Sequence, residues 1–252
     1  MELFLSETEE RMGEISYNRL GYKMEIIRYT KFNDITVRFE NGYEVNTQYG
    51  TFKDGAILYP YARTIYGVGY LGEGKYKSIN NHIRSREYVL WKNILLRCYD
   101  NKTQEKFPTY KGCTVCKEWH NFQIFAEWYN NNYYKVKKED MHVDKDIMVK
   151  GNKIYSPETC IFTPARINLL FIKCDKARGD YPIGATYIKK GNHFTSNCGH
   201  IYLGCFKTPE EAFYKYKDCK ESIIKSVAEE YKPSIPEKLY QALINYKVEI
   251  TD

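Results

Sequence analysis

The chain has 252 residues with 43% hydrophobic and 28% charged side chains, a balance that excludes a disordered or fibrous protein and suits one large domain or two to three small ones. The net charge of +6 is unevenly spread. Between Lys75 and Lys117 ten Lys/Arg face three acidic residues, and between Lys173 and Lys207 six face two, whereas five glutamates crowd the first nineteen residues. Two basic zones in a mildly basic chain suit a polyanion partner.

The opening "MELFLSETEE" has no basic stretch and no long apolar run, so no signal peptide is expected. No segment approaches the ~20 apolar residues of a membrane span, and no membrane partner is expected. The eight cysteines are irregularly spaced, which fits free thiols in a reducing cytoplasm. Residues 1–60 read as a small β domain of SH3-like type. "MEIIRY", "DITVRFE" and "YEVNTQYGTF" are its strands, and Asn41-Gly42 marks a tight turn in which both central residues take positive φ. Residues 61–84 form a glycine-rich linker. Gly67, Gly69 and Gly72 match a GxGxxG pattern, but no βαβ context surrounds them. A flexible connection, or backbone pressed against a partner, is the expectation.

Residues 85–99 predict a helix with Tyr88, Trp91, Ile94, Leu95 and Cys98 on one face. Residues 117–129 predict a second, striped by Trp119, Phe122, Phe125, Ala126 and Tyr129. A strand over His142–Val149, a turn at Lys150-Gly151-Asn152 and a short strand over Cys160–Thr163 follow. Thr163 suits an N-cap and Pro164 a first helical position, so "ARINLLF" continues as helix. From Gly184, "GATYIKKG", "HFTSNC" and "HIYLGCFKT" read as three strands. "TPEEAFYKYKDCKESIIKSVAEEY" reads as a long helix with a Thr208/Glu211 capping box. Its stripe is Ala212, Tyr216, Cys219, Ile223 and Val227. Residues 232–252 predict a tail helix. Cys113-x-x-Cys116 raises zinc, but no second close pair completes four ligands. Cys98, His120 and Cys160 are scattered, so buried thiols are favoured over zinc.

Two resemblances follow from these blocks. Through "WKNILLRCYD", "YKGCTVCKEWHNFQIFAEWY" and "VDKDI…YSPETCIFTPARIN", residues 85–175 resemble the phage-type HNH (His-Me finger) endonucleases. Through "IGATYIKKG…HIYLGCFKTPEEAFYKY", residues 183–231 resemble the ethylene-response-factor-type DNA-binding domain. The implied fold is α+β. It consists of the small β unit, a ββα-metal domain with leading helices, and a three-stranded antiparallel sheet packed on one helix.

The first resemblance implies one divalent ion, Mg²⁺ or Mn²⁺, held by Asp144 and Asn168, because a hard ion accepts one or two protein oxygens and fills its shell with water and phosphate. The family's histidine base would stand at 145, where this chain has lysine. A lysine ammonium ordinarily holds its proton to pH ~10.4, so serving as a base near neutrality asks for about 4 kcal/mol. Lys145 therefore reads better as a phosphate contact. His142, on the same strand face as Asp144 and roughly 7 Å along it, is the other candidate at the catalytic position. The second resemblance implies a sheet laid on double-stranded DNA, with Tyr187, Lys189, Lys190, His193 and Lys207 as contacts. Arg84, Arg86, Lys92 and Arg97, in and just before the first predicted helix, are further candidate DNA contacts. The middle strand lacks the family's Arg and Trp.

Three functions are then open: a metal-dependent DNA endonuclease or nickase, a catalytically inactive DNA-binding or regulatory protein, and a phage inhibitor of a host defence protein. All three place the chain in a cytoplasm, the bacterial host's if it is phage-encoded.

Overall fold

The computed structural model describes residues 10–172 and 180–252. It is a mixed α+β chain with several small sheets. The chain divides into two units, Met1–Lys111 with Lys117–Glu127, and Gly112–Cys116 with Trp128–Asp252.

The first unit begins with a four-stranded antiparallel sheet of β1 (Ile15–Tyr17), β2 (Lys23–Lys31), β3 (Asp34–Phe39) and β4 (Glu44–Thr47), in that order. Ile35, Val37 and Phe39 alternate inward on β3, as a half-buried strand requires. On β2 the alternation breaks. Met24 and Ile26 point inward, but so does Tyr29, because a register shift between Ile26 and Arg28 inserts one residue and keeps Arg28 outside. The β3–β4 turn differs from expectation: Gly42 has φ +88°, while Asn41 keeps a negative φ. Asn41 instead accepts the Tyr43 N–H on its side chain at 3.1 Å, so one left-handed glycine suffices. The third predicted strand also stops at Thr47. "YGTF" turns into α1 (Tyr49–Lys53), which drops Phe52 fully into the core formed with Met24, Ile26, Ile35 and Val37. Each such side chain stabilises the sheet by roughly 1.5–3 kcal/mol.

The glycine-rich segment is packed against helices and belongs to the first unit. Ile65 and Gly69 bridge each other, and Tyr70 bridges Asn121. A Cβ on Gly69 would run into Leu95 and Trp91, and one on Gly74 into Gln123. Gln123 then holds the segment through its side chain, accepting the Tyr76 N–H at 3.0 Å and donating to the carbonyls of Tyr76 at 2.9 Å and Leu71 at 3.3 Å. Gly69 and Gly74 serve close approach, whereas Gly67 has open space around it and supplies a left-handed φ of +75°.

After a two-residue hairpin of β5 (Ile79–Asn80) and β6 (Ile83–Arg84), α2 (Arg86–Tyr99) starts at Ser85, whose hydroxyl caps the Tyr88 N–H. It buries Trp91, Ile94, Leu95 and Cys98. The Trp91 indole donates to the Trp119 carbonyl at 2.6 Å. α3 (Asn101–Lys106) follows. The helix expected at 117–129 begins as a 3-10 turn over Glu118–His120, and α4 (Phe122–Asn132) then runs three residues past the expected end.

In the second unit β7 (Thr114–Val115) pairs in parallel with β9 (Ile154–Tyr155), and β8 (Met141–Asp144) pairs antiparallel with β10 (Ile161–Pro164). α5 (Ala165–Leu169) follows directly. β11 (Ala185–Ile188), β12 (His193–Cys198) and β13 (Ile201–Phe206) form the three-stranded antiparallel sheet. α6 (Pro209–Tyr231) packs on that sheet and carries the expected capping box at Thr208 and Glu211. α7 (Glu237–Ile244) buries Leu239, Tyr240 and Leu243. A core of Val136, Ile147, Ile161 and Ile167 with Ile224, Val227 and Ala228 joins α5 and α6 within this unit.

Candidate functional site

The β8–β10 register sets the site. His142 lies opposite Thr163 and Asp144 opposite Ile161, so these four share one face of the hairpin. Met141, Val143, Phe162 and Pro164 share the other. On that second face Phe162 stacks on Trp128 at 5.2 Å, with Tyr129 and Tyr133 edge-on at 5.3 Å. The Tyr134 hydroxyl donates to the Phe162 carbonyl at 2.7 Å, and burial raises its pKa well above the ordinary phenol value. β10 is therefore gripped from behind, which fixes what the first face presents.

The helix entry departs from expectation. Thr163 stays in β10, and Pro164 rather than Thr163 precedes the first helical residue. The Ala165 N–H is satisfied by the Asp140 carbonyl at 2.9 Å, so no side-chain cap is needed. α5 is only five residues long. It buries Ile167 and leaves Asn168 half-buried.

The expected strand over 142–149 ends at Asp144 because its carboxylate takes over as a backbone partner. Oδ1 accepts the N–H groups of Asp146 and Ile147, each at 2.7 Å. This local closure turns the chain out of the strand. Burial beside Ile161 pushes the Asp144 pKa up. The two amides oppose this and Asp146 adds to it.

Lys145 is the main correction. Expected to face phosphate or to accept a proton, it is buried, at 7% exposure. Its ammonium donates to Asp146 Oδ2 at 2.6 Å and to the Asn152 carbonyl at 2.7 Å, and it lies 5.7 Å over the Tyr155 ring. The loop returning to β9 turns its carbonyls inward, and the ammonium satisfies one of them. Asn152 completes the knot. Its amide donates to the carbonyls of Ile154 at 2.6 Å and Lys145 at 3.0 Å, and its Oδ1 accepts the Ile154 N–H at 3.0 Å. Sequence reasoning read Asn152 only as turn material. Its one signal was a glycine directly before it. Beneath the loop, burial pushes the Cys160 thiol up to about 12, which keeps it protonated.

His142 is exposed on the strand face it shares with Asp144. Asp144, Asn168, Lys189, Lys190, His193 and Lys207 all belong to the second unit, whereas Arg84, Arg86, Lys92 and Arg97 belong to the first. Arg84, Arg86, Lys189, Lys190 and Lys207 are exposed. Lys92 and Arg97 are half-buried, and the Arg97 guanidinium sits 5.4 Å over Tyr110. Tyr187 and His193, expected on one DNA-facing surface, lie on opposite sides of their sheet. Tyr187 pairs with Phe194 and shares a face with buried Ala185 and Ser196, while His193 pairs with Ile188 on the other.

Cys113 and Cys116 flank β7 in the second unit, and the described cysteines form no disulfide. Among the described residues no group of three or more His, Cys, Asp or Glu could hold a metal ion, and no helix is long and apolar enough to cross a membrane. Comparison with protein-family models, with curated proteins and with solved structures finds no match. The functional reading therefore rests on the residues themselves.

Proposed function

We propose that the chain is a DNA-binding protein of the HNH (His-Me finger) type in which the ββα finger, read onto β8, β10 and α5, serves binding rather than cutting. The observation that carries this is Lys145. At the position of the family's base, its buried ammonium is tied to Asp146 and to the Asn152 carbonyl rather than presented to a substrate. The exposed Arg84, Arg86, Lys189, Lys190 and Lys207 supply the cations that duplex DNA requires. The test is fluorescence anisotropy on a duplex across a salt series, beside a supercoiled-plasmid assay with Mg²⁺ or Mn²⁺. The expected result is binding that weakens steeply with salt, and plasmid that stays supercoiled. Binding that is absent or indifferent to salt refutes the reading and favours a protein partner such as a host defence component.

A second reading, a metal-dependent nickase, is favoured by His142, which is exposed on the strand face it shares with Asp144. Asp144 Oδ2 and the Asn168 amide oxygen would hold the ion. One carboxylate and one amide suit hydrated Mg²⁺, which would stabilise charge on the scissile phosphate. They are too few for a structural zinc. Nicking by the wild type that disappears in Asp144→Ala, Asn168→Ala and His142→Ala would establish this reading against the first.

A further inference from the structure

The hairpin end of the C-terminal sheet carries a cluster of three aromatic rings, of which only Tyr187 was expected to touch duplex DNA. Tyr187 of β11 lies beside its cross-strand partner Phe194 of β12, ring centroids 5.2 Å apart and planes tilted 48°. Tyr181 meets Phe194 edge-on at 5.0 Å and Tyr187 at 5.9 Å, tilted 42°. Phe194 is the half-buried floor, while Tyr181 and Tyr187 are 38% and 37% exposed. Neither tyrosine is stacked face to face on another ring of this cluster. The Tyr187 hydroxyl donates to Asn192 Oδ1 at 2.8 Å across the turn. Asn192 itself takes a left-handed conformation at φ +45°. That bond fixes the ring before any ligand arrives, which lowers the entropy lost on binding.

Charge surrounds the rings on the same hairpin. Exposed Lys189 and Lys190 form the turn between Tyr187 and Phe194. From Asp180 to Lys207 the chain holds one acidic residue, Asp180, against three lysines. The opposite face of the sheet presents Thr186, Ile188, His193, Thr195, Asn197, Tyr202 and Cys205 from its strands. It carries no Arg or Lys to read guanine edges in a major groove. In a duplex the faces of the bases are covered by their neighbours, so exposed ring faces find partners only in unpaired bases.

We infer that the β11–β12 hairpin is a binding site for single-stranded DNA, with Tyr181 and Tyr187 stacking on unpaired bases and Lys189 and Lys190 contacting the adjacent phosphates. The inference rests on the DNA-binding reading and names its substrate form.

Anisotropy on the full chain tests it. The probes are fluorescein-labelled oligodeoxythymidine of about twelve nucleotides, a blunt duplex of equal length, and an abasic strand of equal charge. Oligodeoxythymidine should bind more tightly than the duplex, and the abasic strand roughly tenfold or more weaker than oligodeoxythymidine. Tyr181→Leu and Tyr187→Leu should each weaken the single strand roughly tenfold, and Tyr181→Leu should leave the duplex within about twofold. Lys190→Gln should weaken both and reduce the salt slope by about 0.7 on the single strand. Equal affinity for the abasic and thymidine strands overturns the inference on wild type alone, whatever the variants' folding. Single-strand binding unchanged in both tyrosine variants also overturns it. In either case retained duplex binding leaves the DNA-binding reading standing, and loss of binding to all three probes ends both.

Discussion

Two lysine-bearing turns of the second unit look alike in sequence and behave oppositely. Lys145 follows β8 and is buried against Asp146 and the Asn152 carbonyl, whereas Lys189 and Lys190 follow β11 and are exposed. The difference lies in the return path. The chain after Lys145 folds back over sixteen residues to reach Ile161 and leaves inward carbonyls that want a donor. The chain after Ile188 returns within four residues through a tight 3-10 turn, and both of its lysines stay exposed. A cation beside a strand end therefore faces solvent only when the loop has no use for it.

The strongest way to break the comparison is Lys145→Ala. It should lower stability by about 2–3 kcal/mol, read by urea denaturation. That is below the full loss of a buried pair because Asp146 is half exposed. A change under ~0.5 kcal/mol would mean that Lys145 is as free as Lys189. Next, Thr208→Ala removes the hydroxyl that accepts the Glu211 N–H at 3.2 Å and should lower stability by about 1 kcal/mol. Lys189 and Lys190 should remain exposed in that variant, since the cap acts on α6 and not on the turn.

Asp144 sharpens the buried side further. Its pKa is raised in the folded chain, burial being the main cause, so the folded state holds the proton more tightly than the unfolded one. Stability from this group is full below the ordinary carboxylate range and declines as pH rises through the folded value. Asp144→Asn keeps an Oδ1 for both amides and should flatten the decline above pH ~4, leaving the variant at least as stable as wild type at pH 7. Pronounced destabilisation at pH 7 would show that the charge itself is needed there. Smallest in stability, Lys189→Gln and Lys190→Gln should stay within ~0.5 kcal/mol of wild type by thermal denaturation, while each reduces the salt slope of duplex binding by about 0.9.

Much of the architecture was legible along the chain. Trp91, Ile94, Leu95 and Cys98 fall inward at helical spacing, and Thr208 with Glu211 marks the start of α6 because a capping box is a local contract among four residues. The β8–β10 hairpin and the helix after it were legible in order but not in detail. β8 stops at Asp144 because a side chain replaces a strand partner, and α5 starts one residue later because the Asp140 carbonyl, twenty-five residues away, takes the Ala165 N–H. The packing of the glycine-rich segment was not legible because Gly69 and Gly74 answer to Trp91, Leu95 and Gln123, which are distant in sequence.

Composition and short-range pattern by themselves determined the α+β class, the helix faces, the three C-terminal strands and the basic zones, since each depends on neighbours within about four residues. Only the tertiary structure decided which charged groups remain available. It turned Lys145 inward, tied one oxygen of Asp144 into a turn, left His142 exposed and set Tyr187 on the opposite side of its sheet from His193. Those outcomes depend on register and on long-range carbonyl partners, and a change of one residue in strand pairing reverses every side chain that follows.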